Sequence, residues 1–456
     1  MVAVRRGFTI GAAVTAGLLG TGLAGAPVAM AGPPASPAAC AAAARSDGRG
    51  LPEVIATRDG LPGHAEPAIA ASQRNPRHLL GASEFVTAGG GPRLVPGAFS
   101  SADGGRTWHD YGPLPLPPGY THGDDVSAAY PGRVGLVAAE AYPAAGGSSV
   151  LVWRTTDGGR HFSAPADVFT APAGTPDTDH PWLAVTGNGT AVIAWNWGDD
   201  LLASRSADDG RTFAAPRRIS APGDLHPNLA VVAAGPRGSV SVIYQAASAA
   251  GKGSPGGRPV TEIVTSPDGG LAFEPPDVLP AVAGYPFTAQ PFASSLPTVT
   301  ADPGTGTLYV ALSQSLSQGA ARQIVVYRSA DHGRTWSAPA SVSGGQHPRA
   351  DEFQPSLTVD ARGALYVSYY AYASGRVTAW LAASADGGAS FHGHLRLGRP
   401  FDPACGLTGV WKVSPWFGDY QALTSGPGHL YAAWTDTGTG RPEIAVAAMR
   451  TLPSRR

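Results

Sequence analysis

The chain alternates apolar and polar residues in short runs that break every few positions at Gly, Pro, Asp or Asn, the pattern of half-buried strands joined by tight turns. Seven stretches share one layout: "HAEPAIAAS", "HGDDVSAAY", "TDHPWLAVT", "LHPNLAVVA", "SSLPTVTAD", "DEFQPSLTVD" and "WFGDYQALTS". Each opens on polar residues, commonly through a polar-Pro step, and runs on as a short strand. A second, more apolar strand follows, then a third and a fourth. The seventh unit, Trp416 to about Leu452, has only three strands before the chain runs out. Three strands leave an open edge, and the alternating segment "LPEVIATR", Leu51 to Arg58, is predicted to supply the missing outer strand and close a ring. The expected fold is all-β, a propeller of four-stranded antiparallel blades, with seven blades preferred and six as the alternative.

A second periodicity lies inside the first. The pattern Ser/Thr, any, Asp, any, Gly, two more, aromatic occurs six times, at 101–108, 155–162, 206–213, 266–273, 329–336 and 384–391. The aromatic always falls five residues after the Asp, and successive Asp residues are 51 to 63 apart. A short carboxylate can accept hydrogen bonds from backbone N–H groups just downstream, the Gly supplies the positive φ of a tight turn, and the hydroxyl closes the loop. Turn chemistry explains every specified position, so these aspartates are read as structural, marking the turn between the third and fourth strands.

The six segments resemble the Asp-boxes, or BNR repeats, of the sialidase superfamily of β-propellers, over residues 64 to about 450. The resemblance implies an exported, carbohydrate-directed protein with its site over the propeller axis. Superfamily members include sialidases, other carbohydrate-active enzymes and non-catalytic proteins. Two functions of different class follow: a sialidase-like glycoside hydrolase, or a propeller that only binds a glycan or a protein.

Composition fits many short strands and frequent turns, with 14% charged residues, 61 Gly and 43 Pro. A net charge of −1 with no basic run outside the extreme termini argues against nucleic acid as a partner. The N-terminus, "MVAVRRGFTIGAAVTAGLLGTGLAGAPVAMA", has a basic start, a weakly apolar Gly/Ala core and an Ala-Met-Ala ending at Ala31. It reads as a cleavable export signal of the general secretory or twin-arginine type. The expected organisation is therefore a signal peptide over 1–31, an Ala/Pro-rich segment over 32–50 and one propeller domain over 51–456. A monomer outside the cytoplasm is expected, free of the membrane after cleavage. Two cysteines, Cys40 and Cys405, flank the repeat array, and in an oxidising compartment a disulfide between them is expected.

Topology sorts residues by face. If the first strand of each blade runs downward beside the axis, the box turns fall on the bottom, and the top collects the openings of first strands and the exits of second strands. The openings bring Glu66, Asp124, Asp125, Asp179, His180, His226, Asp351, Glu352, Gln354, Asp419 and Tyr420. The exits bring Glu84, Glu140, Trp195, Asn196, Trp197, Tyr244, Gln245, Gln314, Tyr369, Tyr370, Trp434 and Asp436. Carboxylates beside aromatic faces suit a sugar site, the acids transferring protons or binding hydroxyls and the rings stacking on pyranose C–H surfaces. In a strand that stays extended, adjacent pairs such as Asp124/Asp125 cannot both face the axis.

Sialidases clamp the substrate carboxylate with three arginines and use a Tyr nucleophile assisted by a Glu, with an Asp as acid/base. The resemblance places those roles on Tyr420, Glu352 and Asp419, with Arg349, Arg376 and Arg441 as the clamp. Asp179, His180, His226, Trp195, Trp197, Tyr369, Trp434 and Asp436 are the expected further substrate contacts. The family's Phe/Tyr-Arg-Ile-Pro motif is absent, "PRLVP" around Arg93 being its faint echo, and no first-strand opening carries an inward arginine. Phosphate-binding loops, nucleophile elbows and metal-protease histidine spacings are absent as well, so no cofactor and no metal are expected.

Overall fold

The computed structural model describes residue 40 and residues 50–88, 91–248, 260–280, 288–290, 293–315, 320–410 and 415–452. The expected signal peptide and nearly all of the Ala/Pro-rich segment lie outside the described residues. The described residues form a ring of seven antiparallel sheets, six of them running from an inner to an outer strand in chain order and the seventh taking its outer strand from the start of the described chain, with a separate two-stranded sheet, Thr288–Gln290 and Ala293–Ser294, before blade 5. Blade 1 covers residues 63–113, blade 2 120–171, blade 3 178–218, blade 4 224–278, blade 5 298–341, blade 6 351–401 and blade 7 422–450. In blade 2 the innermost strand is split into Tyr120–His122 and Ser127–Ala129.

Val54–Ile55 closes the ring as the outer strand of blade 7, in register Val54↔Val446 and Ile55↔Ala445. Ala56 N–H extends the ladder to Ile444 O at 2.8 Å. The first and last segments of the array thus share one sheet, and the third strand of blade 7 is paired on both sides. A disulfide joins Cys40 to Cys405 with Cα atoms 6.1 Å apart, pinning the chain ahead of that strand to the turn Pro403–Cys405 that follows blade 6. Because it spans 365 residues of sequence, its reduction is expected to lower unfolding stability by about 2–5 kcal/mol. Denaturant titration with and without reductant checks this, and coincident curves would show the disulfide to be dispensable.

The box turns form as their chemistry dictates. In the first, Ser101 Oγ accepts Gly105 N–H at 2.9 Å, and Asp103 Oδ1 accepts Arg106 N–H and Thr107 N–H, both at 3.0 Å. Thr107 Oγ1 donates to Asp103 Oδ2 at 2.6 Å. Burial is the largest single influence and raises the Asp103 carboxyl, but together these donors outweigh it and hold the carboxyl down at about 2. Trp108 then packs edge-on against Phe99 of the third strand. Between blades the core is apolar and continuous, for example Leu80, Ala82 and Ala98 of blade 1 against Val137, Leu151 and Trp153 of blade 2.

The departure from regular blades occurs at the top of the inner strands. Glu66, Asp125, His180, His226 and Gln354 occupy the same place in five blades, and all adopt left-handed backbone, with φ between 48° and 55°. In blades 1, 3, 4 and 6 the ladder register shifts there, between Ala65 and Ala68 in the first case. A bulge with a left-handed residue ends the extended alternation and re-aims side chains. It also turns the backbone N–H of one blade toward acceptors of its neighbour: Asp125 N–H to Glu84 Oε1 at 2.9 Å, His180 N–H to Asp125 Oδ2 at 3.2 Å, and Gln354 N–H to Ser295 Oγ at 2.9 Å.

Candidate active site at the top of the axis

Seven carboxyl groups from four blades gather over the axis: Glu66 and Glu84 from blade 1, Asp124, Asp125 and Glu140 from blade 2, Asp179 from blade 3, and Asp419 just before blade 7. Glu66, Glu84, Asp124 and Glu140 are buried, whereas Asp125, Asp179 and Asp419 are half-buried and form the lip. Left-handed backbone at Asp125 makes this crowding possible, since Asp124 and Asp125 both join the group although they are adjacent. Two subsets bring carboxylate oxygens within 4.8 Å of one another, Glu66/Glu84/Asp125 and Asp125/Glu140/Asp179.

Two like charges ~5 Å apart repel by about 3 kcal/mol at an effective dielectric of ~20, so the group cannot ionise together. Burial first, and the neighbouring carboxylates second, push Glu66, Glu84, Asp125 and Glu140 well above the ordinary carboxylate range. Asp124 rises to about 6, mainly by burial, with Glu140 and Tyr142 opposing as hydrogen-bond partners.

The donors are unevenly shared. Glu140 accepts from Tyr142 Oη on one oxygen and from Thr178 Oγ1 at 3.2 Å on the other. Glu66 Oε1 accepts Asp419 N–H at 2.8 Å and Glu84 Oε1 accepts Asp125 N–H, but the second oxygen of each is buried with no N–H or O–H donor. Asp124 Oδ1 is in the same position.

Three aromatic rings lie beside the acids. His180 stacks on Trp182 with centroids 5.4 Å apart, and Tyr420 meets both rings edge-on. His180 Nδ1–H donates to Ala230 O at 3.0 Å, and burial lowers the pKa of the ring below the ordinary histidine value. Trp182, Leu296, Gln354, Asp419, Tyr420 and Gln421 line a cavity of about 20 Å³, room for one water.

The expected sialidase groups are distributed differently. Tyr420 is at the mouth, donating to Val126 O at 3.1 Å, and burial with Glu66, Asp125 and Glu84 nearby pushes its phenol well above 10. The carboxyl beside it is Glu66, not Glu352. Glu352 lies between blades 5 and 6, where its Oε2 accepts Ile324 N–H at 2.8 Å and Tyr369 is its neighbour. Arg349 is exposed ahead of blade 6, Arg376 opens that blade's third strand, and Arg441 Nε donates to Glu443 Oε1 at 2.6 Å. The three arginines therefore sit on separate elements.

Among the expected sugar contacts, Asp179 and His180 join the mouth. His226 is exposed and pairs with Asp199 at 3.2 Å. Trp195, Tyr369 and Trp434 have no exposed ring face, each being packed inside the blades, and Asp436 is buried beside Trp434. Trp197 is half-buried and donates to Pro176 O at 3.0 Å. Three residues passed over in the sequence matter more: Trp182, Tyr142 and His122, the last stacked on Tyr142 at 4.6 Å. Trp182 was visible as the ring directly after the His-Pro step of "TDHPWLAVT", and Tyr142 as the residue two beyond Glu140.

No protein-family model matches the chain, and no curated protein does. Solved structures do match in fold. An α-L-arabinanase of Penicillium chrysogenum with arabinobiose is 12% identical over 89% of this chain and 98% of that one, with a TM-score of 0.51. The α-L-arabinofuranosidase Arb93A of Fusarium graminearum, with an iminosugar inhibitor, is 12% identical over 89% and 98%, at 0.50. The Hadza microbial sialidase Hz136 is 15% identical over 87% of this chain and 68% of that one, at 0.47. The chain shares the β-propeller fold of these arabinanase and arabinofuranosidase structures, closed here with seven blades.

Proposed function

We propose that the protein is an exported carbohydrate-active enzyme, a glycoside hydrolase that works through paired carboxyl groups at the top of the axis. The observation that carries this reading is the convergence of seven carboxyls at one mouth, with Asp124 Oδ1 free of donors and Asp179 beside it at the lip. Glycoside cleavage needs one carboxyl to protonate the leaving oxygen and a second, ionised, to attack or to activate water. Asp124, linked to Glu140 and Tyr142, is the proposed proton donor, and Asp179 the proposed partner that attacks or activates water. The solved arabinan-cleaving enzymes of the same fold support a glycan as the target, and the disulfide supports export. With Trp195, Tyr369 and Trp434 enclosed, a binding module that relies on stacked rings has less support.

The test is turnover on a panel of aryl glycosides, including arabinofuranosides, sialosides and uronides, together with polysaccharides. Asp124→Asn and Asp179→Asn are each expected to lower kcat by ~10²–10⁴-fold without loss of fold. A parent protein that cleaves nothing on the panel counts against the enzyme reading. The pairing of Tyr420 with Glu66 favours a second route, in which Tyr420 is the nucleophile, Glu66 its helper and Asp419 the acid/base. Loss of turnover in Tyr420→Phe, with Asp124→Asn fully active, would select that route.

A further inference from the structure

We propose that Glu66, Glu84 and Asp125 hold one calcium ion at the top of the axis. Their oxygens lie within 4.8 Å of one another, close enough that small side-chain adjustments bring all three to a calcium–oxygen distance of ~2.4 Å from one ion. Glu66 and Glu84 are 2% and 1% exposed, and each keeps one oxygen without an N–H or O–H donor. The partner oxygen of each is fixed by a neighbour's amide, Asp419 N–H for Glu66 and Asp125 N–H for Glu84. Glu66 and Glu84 thus each have a buried oxygen to offer an ion. Asp125 is anchored in turn by His180 N–H on Oδ2 and remains half-buried, so the ion would keep positions open to water or ligand on the lip side.

The donor set is all oxygen and all carboxyl, which suits a hard cation and not the nitrogen and sulfur sites of zinc. Calcium fits better than magnesium because carboxylates fixed by backbone amides are not free to build a strict octahedron. The second subset, Asp125/Glu140/Asp179, is less suited, since Tyr142 and Thr178 already occupy both oxygens of Glu140. Left-handed backbone at Glu66 and Asp125, φ 55° and 49°, is uncommon for residues with a Cβ and clusters at ligand sites.

The test is calorimetric titration of the chelator-treated protein with calcium chloride, with melting curves in parallel. One ion per chain and a rise in Tm of several degrees are expected at millimolar calcium. Glu66→Gln and Glu84→Gln should each weaken binding by ~100-fold, while the box variant Asp386→Asn binds as the parent does. Should the variants fail to fold, terbium emission sensitised by Tyr420 and Trp182 in the parent, and displaced by calcium, is the independent readout. Absence of calcium heat, Tm shift and terbium emission would overturn the proposal, and a Glu84→Gln that melts at or above the parent would then identify a shared proton in place of the ion. Undiminished binding in both Gln variants would overturn it too, by putting the ion elsewhere. The inference rests on the mouth being the functional site but not on turnover. Calcium binding without cleavage counts against the enzyme reading alone, and cleavage without calcium binding counts against this one alone.

Discussion

Trp434→Ala is expected to lower unfolding stability by about 3–5 kcal/mol and to leave ligand affinity of the folded fraction unchanged. Trp434 has 0% exposure and packs with Tyr370, Phe401 and Phe417 where blades 6 and 7 meet. Gly398 approaches so closely that a Cβ there would lie 2.8 Å from the indole, and Trp434 is held in the ladder opposite Ala445, which also pairs with Ile55 of the closing strand. The cavity would therefore loosen blade 7 and the closing strand together. Denaturant titration measures the loss. A stability change under about 1 kcal/mol combined with a selective loss of glycan binding would return Trp434 to the role of a sugar platform.

Glu443→Ala is expected to cost a similar ~3–5 kcal/mol, because it breaks a buried charged network at the ring closure. Glu443 Oε2 accepts from Thr57 Oγ1 at 2.8 Å, and Oε1 accepts from Arg441 Nε. His64, with 0% exposure, sits between the two ends of the closure: Nε2 is 3.2 Å from Asp59 Oδ2, and Nδ1 is 3.0 Å from Glu443 Oε2 though off the line of a good hydrogen bond. Thr57 and Asp59 belong to the N-terminal segment, Glu443 to the last strand, and His64 to blade 1, so one cluster ties the closing segment to both its neighbours.

Burial opposes a charge on His64, but the hydrogen bond to Asp59 and the close carboxylates of Asp59 and Glu443 outweigh it and raise its pKa above 6.5. A raised folded-state value means that this contribution is complete below the unfolded pKa and is lost as pH rises through the folded one. Asp59 goes the other way: against its burial, the bond to His64 lowers its pKa below 3.8, so its contribution is present above that value and is lost as pH falls through the folded one. The closure is therefore expected to be tightest between those limits and to weaken as pH rises past neutrality. Melting curves from pH 5 to 9 should show the parent losing more than Glu443→Gln over the alkaline half. Parallel curves would mean that His64 is neutral throughout.

How far the fold was legible depends on which interactions are local. The box turns need only their own eight residues, as Asp103 with Arg106 and Thr107 illustrates, so their chemistry could be read without a neighbour. Seven strand openings implied seven blades, and an unfinished last unit beside a spare alternating segment implied the closure that Val54–Ile55 makes. The six-bladed alternative falls because each opening builds its own sheet. Two cysteines at the ends of the array pointed to the Cys40–Cys405 bond.

The site was legible only as a face. Strand polarity alone brings Glu66, Glu84, Asp124, Asp125, Glu140, Asp179 and Asp419 to the top, since it requires nothing beyond counting residues along alternating strands. Which of the top-face residues meet was decided in three dimensions. Alternation forbids Asp124 and Asp125 a common direction, but left-handed backbone at Asp125 lifts that restriction, and nothing in the local sequence announces it. Likewise, position at a strand end placed Trp195, Tyr369 and Trp434 near the mouth, yet neighbouring blades cover their rings. Alternation fixes on which side of a strand a side chain emerges, whereas exposure depends on which blade packs against that side, and that is a property of the closed ring.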